Sequence, residues 1–114
     1  YEDQGLAAIS FLMNSTHYMF TKGSTVVYAV MISAYNYARE DFFVMQVFRD
    51  GSRLVFLIWG IAQTGTYASG IYFSDVIYPN LTSYNQGYYI FKWTDLDGNG
   101  IQTSNEISQI ASGS

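Results

Sequence analysis

The chain has 114 residues, which suits one domain with one core. Apolar residues make up 49% of it and charged residues only 12%, with a net charge of −4. That balance excludes a charge-driven disordered chain and the Lys/Arg patch that nucleic-acid binding needs, and the lack of cysteine excludes disulfides, Cys-zinc sites and thiol nucleophiles.

The N-terminal stretch, residues 1–23, reads as a segment of its own, either a short helix or a strand that could be donated to a neighbour. Leu6–Met13 is too short for periodicity to separate helix from strand. His17–Lys22 reads as extended. Residues 24–114 then carry a strong β signal. Thr25–Ala34, Phe42–Phe48 and Arg53–Ile61 are rich in β-branched and aromatic residues, and each predicts a strand. Asp50-Gly51 predicts a type I′ turn and a hairpin between the last two. Thr66–Ile77 predicts a further strand, bent at Gly70 and ended by Pro79-Asn80. Tyr88–Thr94 and Glu106–Ala111 complete the set. The expected fold is all-β: a single antiparallel β-sandwich or jelly-roll-like domain. No apolar run reaches the roughly 20 residues of a membrane-spanning helix, and five or six strands are too few to close a transmembrane barrel.

Three of these strands do not alternate. Phe42, Val44, Gln46 and Phe48 oppose Phe43, Met45 and Val47, so both faces are apolar. An isolated two-sheet sandwich covers one face of each sheet. The second face must meet a neighbouring copy, the N-terminal segment or another domain; a neighbouring copy is the preferred cover.

One motif carries specific chemistry. Asp95 to Glu106 reads DLDGNGIQTSNE. Asp95, Asp97 and Asn99 fall at positions 1, 3 and 5, with Gly100 at the sharp turn. Ile101 at position 7 would offer its carbonyl, Thr103 at position 9 its hydroxyl or a water, and Glu106 at position 12 both carboxylate oxygens. The stretch resembles the EF-hand calcium loop and is similar to its dockerin variant. That resemblance covers these twelve residues and implies a Ca2+ ligand set. It departs from the pattern at position 8, where Gln102 replaces the usual aliphatic residue, and in being flanked by strand-like sequence rather than helices. The expectation is a calcium-stapled connection between two strands; the alternative is an Asx/Gly turn without an ion.

Catalytic patterns are lacking. His17 is the only histidine, and no nucleophile elbow, phosphate loop or spaced carboxylate pair occurs. No enzyme activity is expected. Asn14-Ser15-Thr16 and Asn80-Leu81-Thr82 are glycosylation acceptor patterns, and a chain that starts at Tyr1 is what removal of a signal peptide would leave. Both point to an extracellular or cell-surface setting. The chain is similar in style to archaeal extracellular filament subunits, being small, aromatic, cysteine-free and sequon-bearing. The function expected is a structural subunit of a secreted filament, tube or surface layer, with itself as partner. The alternative is a carbohydrate-binding or accessory β-domain of a secreted hydrolase, with eleven tyrosines, Trp59 and Trp93 available to stack on glycans.

Overall fold

A computed structural model describes residues 9–84 and 87–113. The fold is mainly β, with two antiparallel sheets. The first has three strands in the order β1 (Ile9–Met13), β2 (His17–Lys22) and β3 (Thr25–Met31). The second has four, in the order β5 (Arg53–Gly60), β4 (Glu40–Asp50), β6 (Gly87–Thr94) and β7 (Ile107–Gly113). Residues 6–8 of the ambiguous N-terminal stretch lie outside the described residues, whereas Ile9–Met13 is a strand. The division expected after residue 23 falls in the β2–β3 turn. Of Leu6–Phe20, the stretch expected as a donor, the part within the described residues pairs inside its own chain (Phe11 with Phe20, Phe20 with Tyr28).

The β4–β5 hairpin forms as expected, but its turn differs. Asp50 pairs with Arg53, so Gly51 and Ser52 are the central residues, and among the described residues only glycines take positive φ. A positive φ of 65° at Gly51 alone fits a type II′ turn rather than type I′. Lys22-Gly23-Ser24-Thr25 repeats the pattern between β2 and β3, with Gly23 at φ 61°.

The strand expected at Thr66–Ile77 is a helix. Helix α1 (Gln63–Tyr72) runs into a π-helical turn, Phe73–Ile77, and then a 3-10 segment, Tyr78–Ser83. The chain is therefore mainly β rather than all-β. β-branched and aromatic propensity fails here because packing decides. Gly65, Ala68, Ser69 and Ile77 form the buried stripe, and small residues let the helix lie close to the sheet. A Cβ on Gly65 would stand 2.5 Å from the Phe42 carbonyl oxygen and 3.0 Å from the Asp41 carboxylate.

This helix explains the two-sided strand. Phe43, Met45 and Val47 of β4 join Phe91, Trp93 and Ile107 of its neighbours, and Ala68 and Ile77 of the helical segment cover them. On the opposite face Phe42, Val44 and Ile90 meet Ile9, Phe20 and Val30 of the three-stranded sheet. β4 is buried on both sides by its own chain and needs no neighbouring copy.

Two polar side chains of β4 fasten these layers. Gln46 faces the three-stranded sheet; its Oε1 accepts the Ile9 N–H at 2.8 Å, and its Nε2 lies 3.5 Å from the Ile9 carbonyl. Asp41 faces the helix. Its Oδ1 accepts the Tyr35 hydroxyl at 2.6 Å and the Phe42 N–H at 2.8 Å. Its Oδ2 accepts the Gly65 N–H at 2.7 Å and the Ala62 N–H at 3.2 Å, with the Thr64 hydroxyl also at 2.7 Å. The N-cap residue Ala62 offers no side-chain cap, so Asp41 satisfies these donors from another strand and places negative charge at the helix N-terminus. Burial, then the Asp41 hydrogen bond, push the Tyr35 phenol far above its ordinary 10.0, keeping it a donor.

Replacing Asp41 by Ala strands several buried donors at once. Asp41→Ala is expected to cost about 3 kcal/mol or more, read as a lower urea midpoint by tryptophan fluorescence. Gly65→Ala tests the close approach by sign. Helix propensity alone would stabilise by up to about 1 kcal/mol; contact with the Phe42 carbonyl predicts net destabilisation in the same assay.

Candidate metal centre

The acidic loop joins β6 to β7, neighbouring antiparallel strands in which Trp93 pairs with Ile107. Strands flank it on both sides, with one 3-10 turn, Ser104–Glu106, before β7. Its backbone is shaped by Asx chemistry and by positive φ at Gly98 (75°) and Gly100 (73°). Asp95 accepts the N–H groups of Gly98 (3.1 Å) and Gly100 (2.8 Å) on its two carboxylate oxygens, and Asp97 accepts that of Asn99 at 3.2 Å.

Of the six ligands expected, three are brought together. Carboxylate oxygens of Asp95, Asp97 and Glu106 lie within 4.8 Å of one another. Thr103 joins through its hydroxyl, 3.0 Å from Glu106 Oε1 and 2.5 Å from Asn105 Oδ1. Asn99 instead turns its amide to its own loop, donating to Asp97 Oδ2 at 3.0 Å and accepting the Ile101 N–H at 2.8 Å. Ile101 is exposed.

Glu106 is the anchor. It is 6% exposed, and it accepts the Leu96 N–H at 2.8 Å and faces the Trp93 indole N–H at 3.4 Å. Burial pushes its carboxyl up and Asp95's charge adds to that, but the Leu96, Thr103 and Trp93 hydrogen bonds outweigh both, leaving it below the ordinary value of 4.5. Leu96 and Trp93 were not among the expected site residues. The pairing of Trp93 beside Ile107 puts the indole next to Glu106, a relation that only the strand register reveals.

No basic side chain forms an ion pair with the cluster among the described residues. The ion pairs there, Arg53–Asp50 at 2.6 Å and Lys92–Glu40 at 3.1 Å, lie elsewhere. Two carboxylates about 5 Å apart repel by roughly 1–3 kcal/mol at effective dielectrics between water and a protein surface. Oxygen donors at this spacing suit a hard divalent cation.

The remaining candidates are dispersed. His17 lies beside the Thr16 hydroxyl, its Nδ1 at 2.8 Å. Trp93 is fully buried, and half-buried Trp59 packs on Phe20 and Phe11, so neither forms an exposed stacking platform. Asn14 is exposed in the β1–β2 turn; its Oδ1 accepts the N–H groups of Thr16 and His17. Asn80 is exposed as well, but its Nδ2 donates to the Val76 carbonyl at 2.8 Å. No family model, curated protein or solved structure matches the chain.

Because the folded-state value of Glu106 is lowered, its contribution is present above the unfolded value near 4.5 and is lost as pH falls through the folded one. Urea midpoints measured in chelator should therefore fall on acidification below about pH 4.5, and less steeply in Glu106→Gln than in the parent chain.

Proposed function

We propose that the chain is a calcium-stapled structural domain of an extracellular assembly. The observation that carries this reading is the convergence of Asp95, Asp97 and Glu106 without a basic partner among the described residues. Calcium suits their hard oxygens, the loop's resemblance to an EF-hand sequence, and a setting in which a weak site stays filled. Bound there, the ion ties the end of β6 to the start of β7 and relieves the repulsion. Only one such loop is present and strands flank it, which favours a fixed staple over a helix-moving switch. In this reading the two sheets are the layers of a β-sandwich, with α1 packed on the outside of the four-stranded one.

Self-association draws on a different surface from β4. On the outer side of the three-stranded sheet, Leu12, Met19 and Ala29 align across the strands, with Met31 beyond. Leu12 and Met31 are each 53% exposed. These are uncharged side chains, so association there would bring no like charges together despite the chain's −4.

Calcium that binds only the folded form stabilises it by RT ln(1 + [L]/Kd), about 2.7 kcal/mol at a hundredfold excess over Kd. Calcium should raise the melting temperature of the parent chain, and Asp95→Ala or Asp97→Ala should abolish that rise while melting close to the parent in chelator. Equal destabilisation with and without calcium would remove the ligand assignment. Light scattering and negative-stain microscopy should show large regular particles, reduced by Leu12→Asp; a monomer of 12.9 kDa under all conditions would remove the assembly reading.

A further inference from the structure

A hollow of about 370 Å³ lies between the first turns of α1 and the acidic loop, lined by Gln63, Thr64, Tyr67, Gly100 and Gln102. Its volume falls in the range of small-molecule sites. Gln63 and Tyr67 are four residues apart and share one face of the helix. Tyr67 is 63% exposed, and neither its hydroxyl nor the Gln63 amide is hydrogen-bonded to a described residue. Gln102 donates to the Gly100 carbonyl at 3.2 Å, leaving its Oε1 to accept. The Thr64 hydroxyl is held in place, 2.7 Å from both Asp41 Oδ2 and the Tyr37 carbonyl.

The lining tells which ligands fit. Among the described residues it holds no Lys, Arg, His, Asp or Glu that would select a charged ligand. An anion is further disfavoured, because the Gly65 and Ala62 N–H groups at the helix N-terminus already donate to Asp41, and the acidic loop forms the opposite wall. Two side-chain amides offer both donors and acceptors, and a wet aromatic ring offers an apolar face. That combination matches a molecule with many neutral hydroxyls and a patch of C–H groups. We propose that this hollow is a binding site for a neutral saccharide. The Tyr67 ring stacks on the sugar's C–H face, and the Gln63 and Gln102 amides bond its hydroxyls. The site goes beyond the structural reading and does not depend on it; the two share only the loop wall.

The test is titration of the isotope-labelled full chain with the methyl glycosides of glucose, galactose, mannose and N-acetylglucosamine, followed by amide NMR shifts. At least one should give saturable shifts centred on Gln63–Tyr67 and Gly100–Gln102. Tyr67→Ala should weaken binding by about tenfold, the order expected for loss of one stacked ring, while Tyr67→Phe retains it. Tyr67 is a surface residue, so an unchanged amide spectrum elsewhere will show that the variant folds. Glucose 6-phosphate should bind more weakly than methyl glucoside. Failure of all four glycosides to saturate, shifts centred elsewhere, or undiminished binding by Tyr67→Ala would overturn the proposal.

Discussion

The fold turns on one buried carboxylate. Asp41 sits at the start of β4 and gathers the Tyr35 hydroxyl, the Phe42 N–H and the first turn of α1 onto two oxygens. A short helix is marginal by itself, and α1 has no side-chain cap of its own. Its position therefore depends on a residue 24 positions earlier in the chain. The close approach that Gly65 permits is the other half of the same contact, since a side chain there would meet the Phe42 carbonyl and Asp41 itself. The cap and the glycine work only together: the glycine brings the N–H groups within reach, and the carboxylate satisfies them.

β4 organises both layers by the same alternation. Its odd-numbered residues from Asp41 to Val47 face the helix, and its even-numbered residues from Phe42 to Gln46 face the three-stranded sheet. Each side is apolar apart from one polar residue, and each polar residue makes the connection to the layer it faces. Gln46 bonds to the backbone of Ile9, and Asp41 caps α1. Apolar contact supplies most of the attraction but is non-directional. The two polar fasteners supply register, because a shift of one residue would turn Asp41 and Gln46 toward the wrong layers.

The pairing of β4 with β5 was legible because a turn glycine and β-branched runs act over short distances, whereas the pairing of β2 with β3 crosses the boundary expected after residue 23. The helix was not, because Thr66–Ile77 has strand-like composition and is helical through contacts with residues far away in sequence. The two-sided apolar pattern of β4 was read correctly as needing cover, but a linear pattern cannot say whose atoms supply it. The acidic loop shows the same division. Its carboxylates were legible from spacing, and Asp95, Asp97 and Glu106 do converge. The inward turn of Glu106 depends on the Trp93 indole and the Leu96 N–H, which are set by strand register, and the Asn99 amide goes to a local Asx bond that competes with any ion.

The Asp41 cap and the acidic cluster stand close together on one side of the molecule. The Asp95 N–H donates to the Arg39 carbonyl at 2.8 Å, two residues before Asp41, so the β6 end of the loop is pinned to the strand that caps the helix. The Glu106 N–H in turn closes on the Thr103 carbonyl at 3.0 Å, which fixes the β7 end. The loop is thus held at its two ends and left exposed from Leu96 to Ile101. Of the three clustered carboxylates, Asp95 and Glu106 sit at these anchored ends, and Asp97 lies in the exposed middle. The same middle carries Gly100, and Gln102 follows directly after Ile101; together they form the wall that faces α1. The hollow beside Tyr67 thus has one wall on this loop and the other on α1, where Asp41 holds Thr64.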